Sequence, residues 1–421
     1  MNRACIAILT AAMLASTARG REFFEEKPVL YSATEPNDPM ALLARDWEQG
    51  RNQIHETTPL GFLRGLLEKL NVPEESQVLV FSKTSHQNRL ITPQTPRALY
   101  FSDETYIGYV QGGDIEVIAC DPRLGPVFYV ISIPRPGKPP LAIRDASCLS
   151  CHATGRTENV PGMLVRSIIP AADGRPILRL GSHLTTHASP LEERWGGWYV
   201  TGNHEGVLHM GNVTAENDEG ALDIHAGANW QSLEGKIDTS RYLRPTSDIV
   251  ALMVLEHQCR MHNLMTKAAM EYHRALWLSR IVHPELNEAD SDSTPHRVAA
   301  SAAEAIVREM LFVDEAPPGP LGVDGDPEFQ HAFTRGAPKC ADGRSLKDFR
   351  LTGRIFQTRC SYMIHSRVFA SMPGKVRDLV HSRLREILIE QRQAEDFAHL
   401  GARERTHITA ILDATHPQWR K

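Results

Sequence analysis

Between residues 78 and 131 the apolar positions fall in short runs rich in valine, isoleucine, tyrosine and phenylalanine, at 78–81, 98–101, 106–110, 115–119 and 127–131. Clusters such as Gly112-Gly113-Asp114 and Asp121-Pro122 separate them. Runs of this length closed by turn formers predict an antiparallel sheet. A hairpin is predicted beyond it, with 162–169 returning through a turn at 172–174 into 176–180. Elsewhere the apolar spacing is helical. It predicts helices after Asp38 as cap, over 59–70, and from 248 to about 282 with Ser247 as a cap candidate. Further helices are predicted over 296–312, 373–391 and 394–414. The proline-rich stretch 317–322 reads as a loop and the acidic stretch 287–295 as a linker.

These elements predict the α+β class: a strand-rich mixed domain followed by a mainly helical C-terminal domain. The expected division is a signal peptide over 1–18, an extended and helical lead over 19–75, a strand-rich domain over 76–240 and a helical domain over 241–421. The first segment has a charge at Arg3, an apolar run from Cys5 to Ala15, and the small residues Ser16-Thr17-Ala18. That order reads as an export signal cleaved near Ala18, too short to span a bilayer. With 23% charged residues and a net charge of −5, the chain offers no basic stripe for nucleic acid and no polybasic membrane patch.

One pentapeptide carries chemistry: Cys148-Leu149-Ser150-Cys151-His152. C-x-x-C-H attaches covalent c-type haem, because two thiols at that spacing reach the two vinyl groups of one porphyrin and the next histidine lies beneath the iron. With 7 Cys and 19 His, only about 0.005 of shuffled chains would contain it. A redox dithiol or half a zinc site are the competing readings, but there is no second C-x-x-C and no H-x-x-x-H at the roughly 12–15-residue spacing downstream that such a site uses. Four cysteines of the exported chain remain, Cys120, Cys259, Cys340 and Cys360. They read either as disulfides, Cys340 and Cys360 being closest in sequence, or as buried thiols.

On these three residues and the export signal the chain resembles monohaem c-type cytochromes. The resemblance covers a small part of 421 residues, far more than the ~100 of a minimal haem domain. It implies one covalent haem c, held by Cys148 and Cys151 with His152 as proximal ligand, a periplasmic location, and an exported redox partner protein. It implies electron transfer first. A haem enzyme of peroxidase type, or a gas or redox sensor with an open distal site, is the alternative. Distal-ligand candidates are His209 or Met210, of which at most one can face the iron from a strand, His257 in a helical stripe with Met253, Met261 and Met265, and Met163. His183, His187 or no protein ligand complete the set. Trp195 and Trp198 could stack on porphyrin or fill a core, and Arg144, Arg156 and Arg166 could reach its propionates.

Overall fold

In the computed structural model the described residues are 22–133, 140–217, 219–285, 287–288, 290–391 and 395–420, so the expected signal segment lies outside them. Two helices come first, α1 (Pro39–Glu48) and α2 (Pro59–Lys69). Asp38 caps α1 as expected, its carboxylate accepting from the Met40 and Ala41 amides, which would otherwise lack partners.

The sheet follows in simple up-and-down order: β1 (Val78–Val80), β2 (Arg97–Phe101), β3 (Thr105–Tyr109), β4 (Ile115–Asp121), β5 (Gly125–Ile131) and β6 (Ala142–Arg144), every neighbour antiparallel. Because side chains alternate, the pairing register sorts them into two faces. One face carries the row Tyr100, Ile107, Val117, Tyr129 and packs on α1 and α2. The other carries Phe101, Tyr106, Ile118, Phe128 and, beside it, Leu99, Gly108, Glu116, Val130, Ile143.

Beyond the sheet lie α3 (Leu149–His152) and the ribbon β7 (Arg166–Ile168) with β8 (Ser182–Leu184). The hairpin therefore exists, but its return strand is 182–184. The predicted strand 176–180 keeps only a bridge from Pro176 to Pro170 and a 3-10 turn over Leu178–Leu180. Pro176 has no amide hydrogen to give a ladder, which favours this slip.

The helical half comprises α4 (Ile249–Val282), α5 (Thr294–Met310), α6 (Pro327–Thr334), α7 (Arg367–Ser371), α8 (Gly374–Leu388) and α9 (Ala402–Thr415). Asp248, not Ser247, caps α4, accepting from the Ala251 amide. Ser247 instead ties the sheet to the helix, donating to the Tyr199 carbonyl and accepting from the Leu79 amide. α9 begins at Ala402, later than the predicted 394, behind a turn at Glu395–Phe397. The chain is thus mixed α+β with a helical C-terminal region. One apolar core runs from Phe101, Tyr106 and Cys120 on the sheet through α4 to α5, α8 and α9. No helix among the described residues is long and apolar enough to cross a membrane.

Cys120, Cys259, Cys340 and Cys360 are all free, buried thiols, so the disulfide expectation is replaced by the buried-thiol one. Cys340 donates to Asp342 and Cys120 lies 3.5 Å from His262 Nδ1. Trp195 and Trp198 are core residues, their indoles donating to Glu256 and to the Arg166 carbonyl.

Burial holds the His262 imidazole down to about 4, and burial with His204 nearby holds His209 down to about 3. Both folded values lie below the ~6.5 of an unfolded histidine. Their contribution to stability is therefore fully present above pH ~6.5 and is lost toward pH ~4, as the unfolded chain takes up protons the folded chain refuses, by on the order of 2–3 kcal/mol per imidazole, while the raised carboxyl of Glu256 acts in the opposite sense over the same window. The urea-unfolding difference between wild type and His262→Gln at stepped pH isolates one imidazole: the variant's deficit should shrink from pH ~7 toward pH ~4, and a constant difference would contradict this.

Candidate haem site

Asp145 opens the motif, its carboxylate accepting from the Ser147 amide and starting the tight turn Ala146–Cys148 that runs directly into α3. Cys148 and Cys151 are three residues apart on this continuous turn and therefore share a face. Cys148 is half-buried, Cys151 is exposed, and neither is bonded to another cysteine.

His152 ends the turn and points back at the sheet, its ring 4.9 Å from that of Phe128. Phe128 is buried yet belongs to neither apolar core. His152 Nδ1 lies 2.9 Å from the Gly162 carbonyl, and the Gly162 amide donates in return to the His152 carbonyl. A carbonyl can only accept, so Nδ1 carries the proton and Nε2 presents a lone pair. Burial lowers the imidazole's affinity for a second proton more than the Gly162 bond raises it, which keeps the ring neutral and able to ligate.

Position 162 is narrow: a Cβ there would stand 2.5 Å from Asn263 Oδ1, so glycine allows the approach. Asn263 on α4 then fixes the next residue by a pair of bonds, accepting from the Met163 amide and donating to its carbonyl. His152 is thereby referenced to α4, the longest helix among the described residues.

Electrostatics separate the competing readings of the thiols. Burial, with Asp145 and Glu116 adding to it, pushes the Cys148 thiol up to about 12. A redox dithiol needs the opposite, an electropositive setting that yields a thiolate near neutral pH. Nor do Cys148, Cys151 and His152 converge with an acid or another imidazole; among the described residues the one such cluster lies elsewhere. Burial raises the Glu116 carboxyl, but Arg97, Gln87 and Ser85 together hold it below its ordinary value and hence charged.

A porphyrin needs an apolar wall and cations for its propionates, and the surroundings fit. Leu99 and Val130 are half-exposed, Ile143 and Leu141 are 56% and 59% exposed, and Gly108 leaves the strip between Leu99 and Glu116 without a side chain. On the other flank Arg166 lies within electrostatic range of Cys151, and its buried Nε has no partner. Arg156 and Arg166 both reach Ser182 Oγ. Arg144 is spent on the carbonyls of Tyr31 and Thr34, on the other face of the sheet.

The distal candidates are dispersed. Met163 is buried against α4 one residue from Gly162, hence on the proximal side of His152. Met210 accepts from Ser167, which alternates with Arg166 along β7 and so lies on the opposite side of the ribbon from Cys151. His209 is enclosed by Trp195 and His204. His257 is stacked on Phe312 with Ser361 at its Nε2, and His187 stands beside it. His183 is exposed on β8. None of these touches His152 in the contacts given above.

Sequence reading missed three residues here. Gly162 was signalled only by its place in Val160-Pro161-Gly162, ten residues after the motif. Phe128 looked like any strand aromatic. His86, exposed in the loop after β1, lies close enough to Asp145 to help lower its carboxyl, and no local pattern marks it. Comparisons with family models, with curated proteins and with solved structures gave no match.

Proposed function

We propose that this chain is an exported carrier of one covalent haem c that passes single electrons to a partner protein, with Cys148 and Cys151 as attachment thiols and His152 Nε2 as proximal ligand. The observation that carries the reading is the tie between His152 Nδ1 and the Gly162 carbonyl, which leaves Nε2 as a free, oriented donor next to two unbridged thiols. When bound, the haem supplies a reversible one-electron iron couple.

The chain's own residues do the rest. Gly162 makes the imidazole more electron-rich and fixes its plane, as a partner on the far nitrogen of a ligating histidine does. Phe128 restrains the same ring from the sheet side. Leu99, Val130 and Ile143 offer an apolar surface beside the motif, and Arg156 and Arg166 offer positive charge on the solvent flank.

A second reading, small-gas or peroxide chemistry at an open sixth position, is favoured by one observation: His209, Met210, His257 and Met163 are all held away from His152. Absorption spectra decide between the two. Electron transfer predicts low-spin spectra in both oxidation states. A high-spin ferrous wild type that takes up carbon monoxide rapidly would replace this reading with the second.

A further inference from the structure

We propose that His187, His257 and Glu309 bind one divalent first-row transition-metal ion, with a coordination position left open to an adjoining cleft. This site stands apart from Cys148, Cys151 and His152 and does not depend on the haem reading.

The three side chains come from three places: the loop after β8, the core-facing side of α4, and the last turn of α5. Their ligand atoms all lie within 4.8 Å of one another. Glu309 Oε1 is 2.9 Å from His187 Nδ1 and 3.7 Å from His257 Nδ1. Ligand atoms around a tetrahedral zinc-like ion at about 2.1 Å stand about 3.4 Å apart, a value that the two separations of Glu309 Oε1 from the imidazole nitrogens bracket.

Hydrogen bonding leaves a gap that a cation fills. His187 Nδ1, His257 Nδ1 and Glu309 Oε1 are each buried and each without a hydrogen bond, although they face one another. His187 is 5% exposed and His257 is fully buried. The far nitrogen of each ring is already engaged: His187 Nε2 is 3.1 Å from the Val313 carbonyl, and His257 Nε2 is 2.8 Å from Ser361 Oγ. The Val313 carbonyl can only accept, so in the neutral ring the His187 lone pair sits on Nδ1, 2.9 Å from the Glu309 carboxylate oxygen, and that contact calls for a proton or a cation between them. A proton between these two would satisfy that contact and still leave His257 Nδ1 buried without a partner, which is costly. A cation satisfies all three. Partners on the outer ring nitrogens are also what metal-binding histidines use to set tautomer and direction.

The donor set selects the class of ion. Two imidazoles suit zinc, iron, cobalt, nickel or copper, whereas calcium and magnesium prefer all-oxygen shells. Three protein ligands are one short of a closed structural site, and the fourth side faces a cleft of about 440 Å³ lined by His187, Glu256, Arg260 and Glu309. Arg260, 3.9 Å from the second Glu309 oxygen, places a positive charge beside the open position, suited to a small anionic or polar ligand.

The test uses the full-length protein, stripped with a chelator and titrated with Co²⁺ and then Zn²⁺, read by calorimetry and visible absorption. One equivalent of Co²⁺ should bind, with ligand-field bands and no thiolate-to-cobalt charge transfer, and Zn²⁺ should raise the melting temperature. Glu309→Gln and His187→Gln should each weaken binding by about 100-fold or more, with unchanged circular dichroism. Folded wild type without saturable binding would overturn the proposal. So would thiolate charge transfer, or binding lost in Cys148→Ala/Cys151→Ala and kept in Glu309→Gln. If a variant fails to fold, stoichiometry and the charge-transfer region of the wild-type spectrum still decide.

Discussion

Cys148→Ala/Cys151→Ala yields a colourless polypeptide after denaturation and acidified-ketone extraction, whereas wild type keeps its pigment. This is the largest change the account expects from any substitution. Neither thiol belongs to either apolar core, although Leu149 between them packs against one, so removing the two sulfurs should leave the folded chain intact. His152→Ala is the companion case. It keeps both thiols but removes the Nε2 donor and the Gly162 bond, so pigment is retained at lower yield with a spectrum shifted away from that of wild type. Extraction of all colour from wild type, or equal retention in the double alanine variant, would count against attachment at these thiols.

Arg194→Met destabilises the protein by about 3–5 kcal/mol, the usual cost of leaving one member of a buried ion pair alone. Arg194 and Glu256 are both almost fully buried and directly paired. Arg194 also donates to the carbonyls of His187 and Ser189, while Trp195 donates to the second Glu256 oxygen. Burial already pushes the Glu256 carboxyl up to about 7 against the pull of Arg194 and Trp195. Without Arg194 it rises further, so the unfolded chain, with an ordinary glutamate, binds fewer protons than the folded one over a wider range. Stability then falls as pH rises above neutrality, and the deficit of the variant is larger at pH ~8 than at pH ~6. Urea unfolding at the two values measures it. Arg194→Met/Glu256→Leu should regain most of the loss, because an apolar pair has no charge to strand. An Arg194→Met variant within ~1 kcal/mol of wild type would contradict this picture of the core.

What could be read in the sequence was local. The five strands from 78 to 131 announced themselves because each is a short apolar run between turn formers, and Asp38 announced α1 because a cap acts within three residues. The motif is legible for the same reason: both thiols and His152 lie on one turn. What stayed hidden depends on contacts across long separations. Nothing near residue 86 says that it returns to Asp145, and nothing near residue 309 says that its carboxylate meets His187 and His257. His257 lay in a methionine stripe that read mainly as core packing, with His257 its better candidate for a haem ligand. In the fold that helix face is enclosed by α5 and the segment around Ser361, and its histidine meets an acid instead. Glu309 carried a faint signal, an acid placed between Ile306, Val307 and Met310 on an otherwise apolar face. Ser247 and Asp248 show the limit of cap rules: both are good caps, and the choice between them was made by the Tyr199 carbonyl, which only the folded sheet supplies.

The central claim is most directly tested by the intact mass of the wild-type protein, produced in a host that matures c-type haem and measured after full denaturation. The account predicts a chain heavier by one haem, with the added mass on the peptide containing Cys148 and Cys151. A chain at the mass of its polypeptide alone, with both thiols free to alkylate, would contradict it.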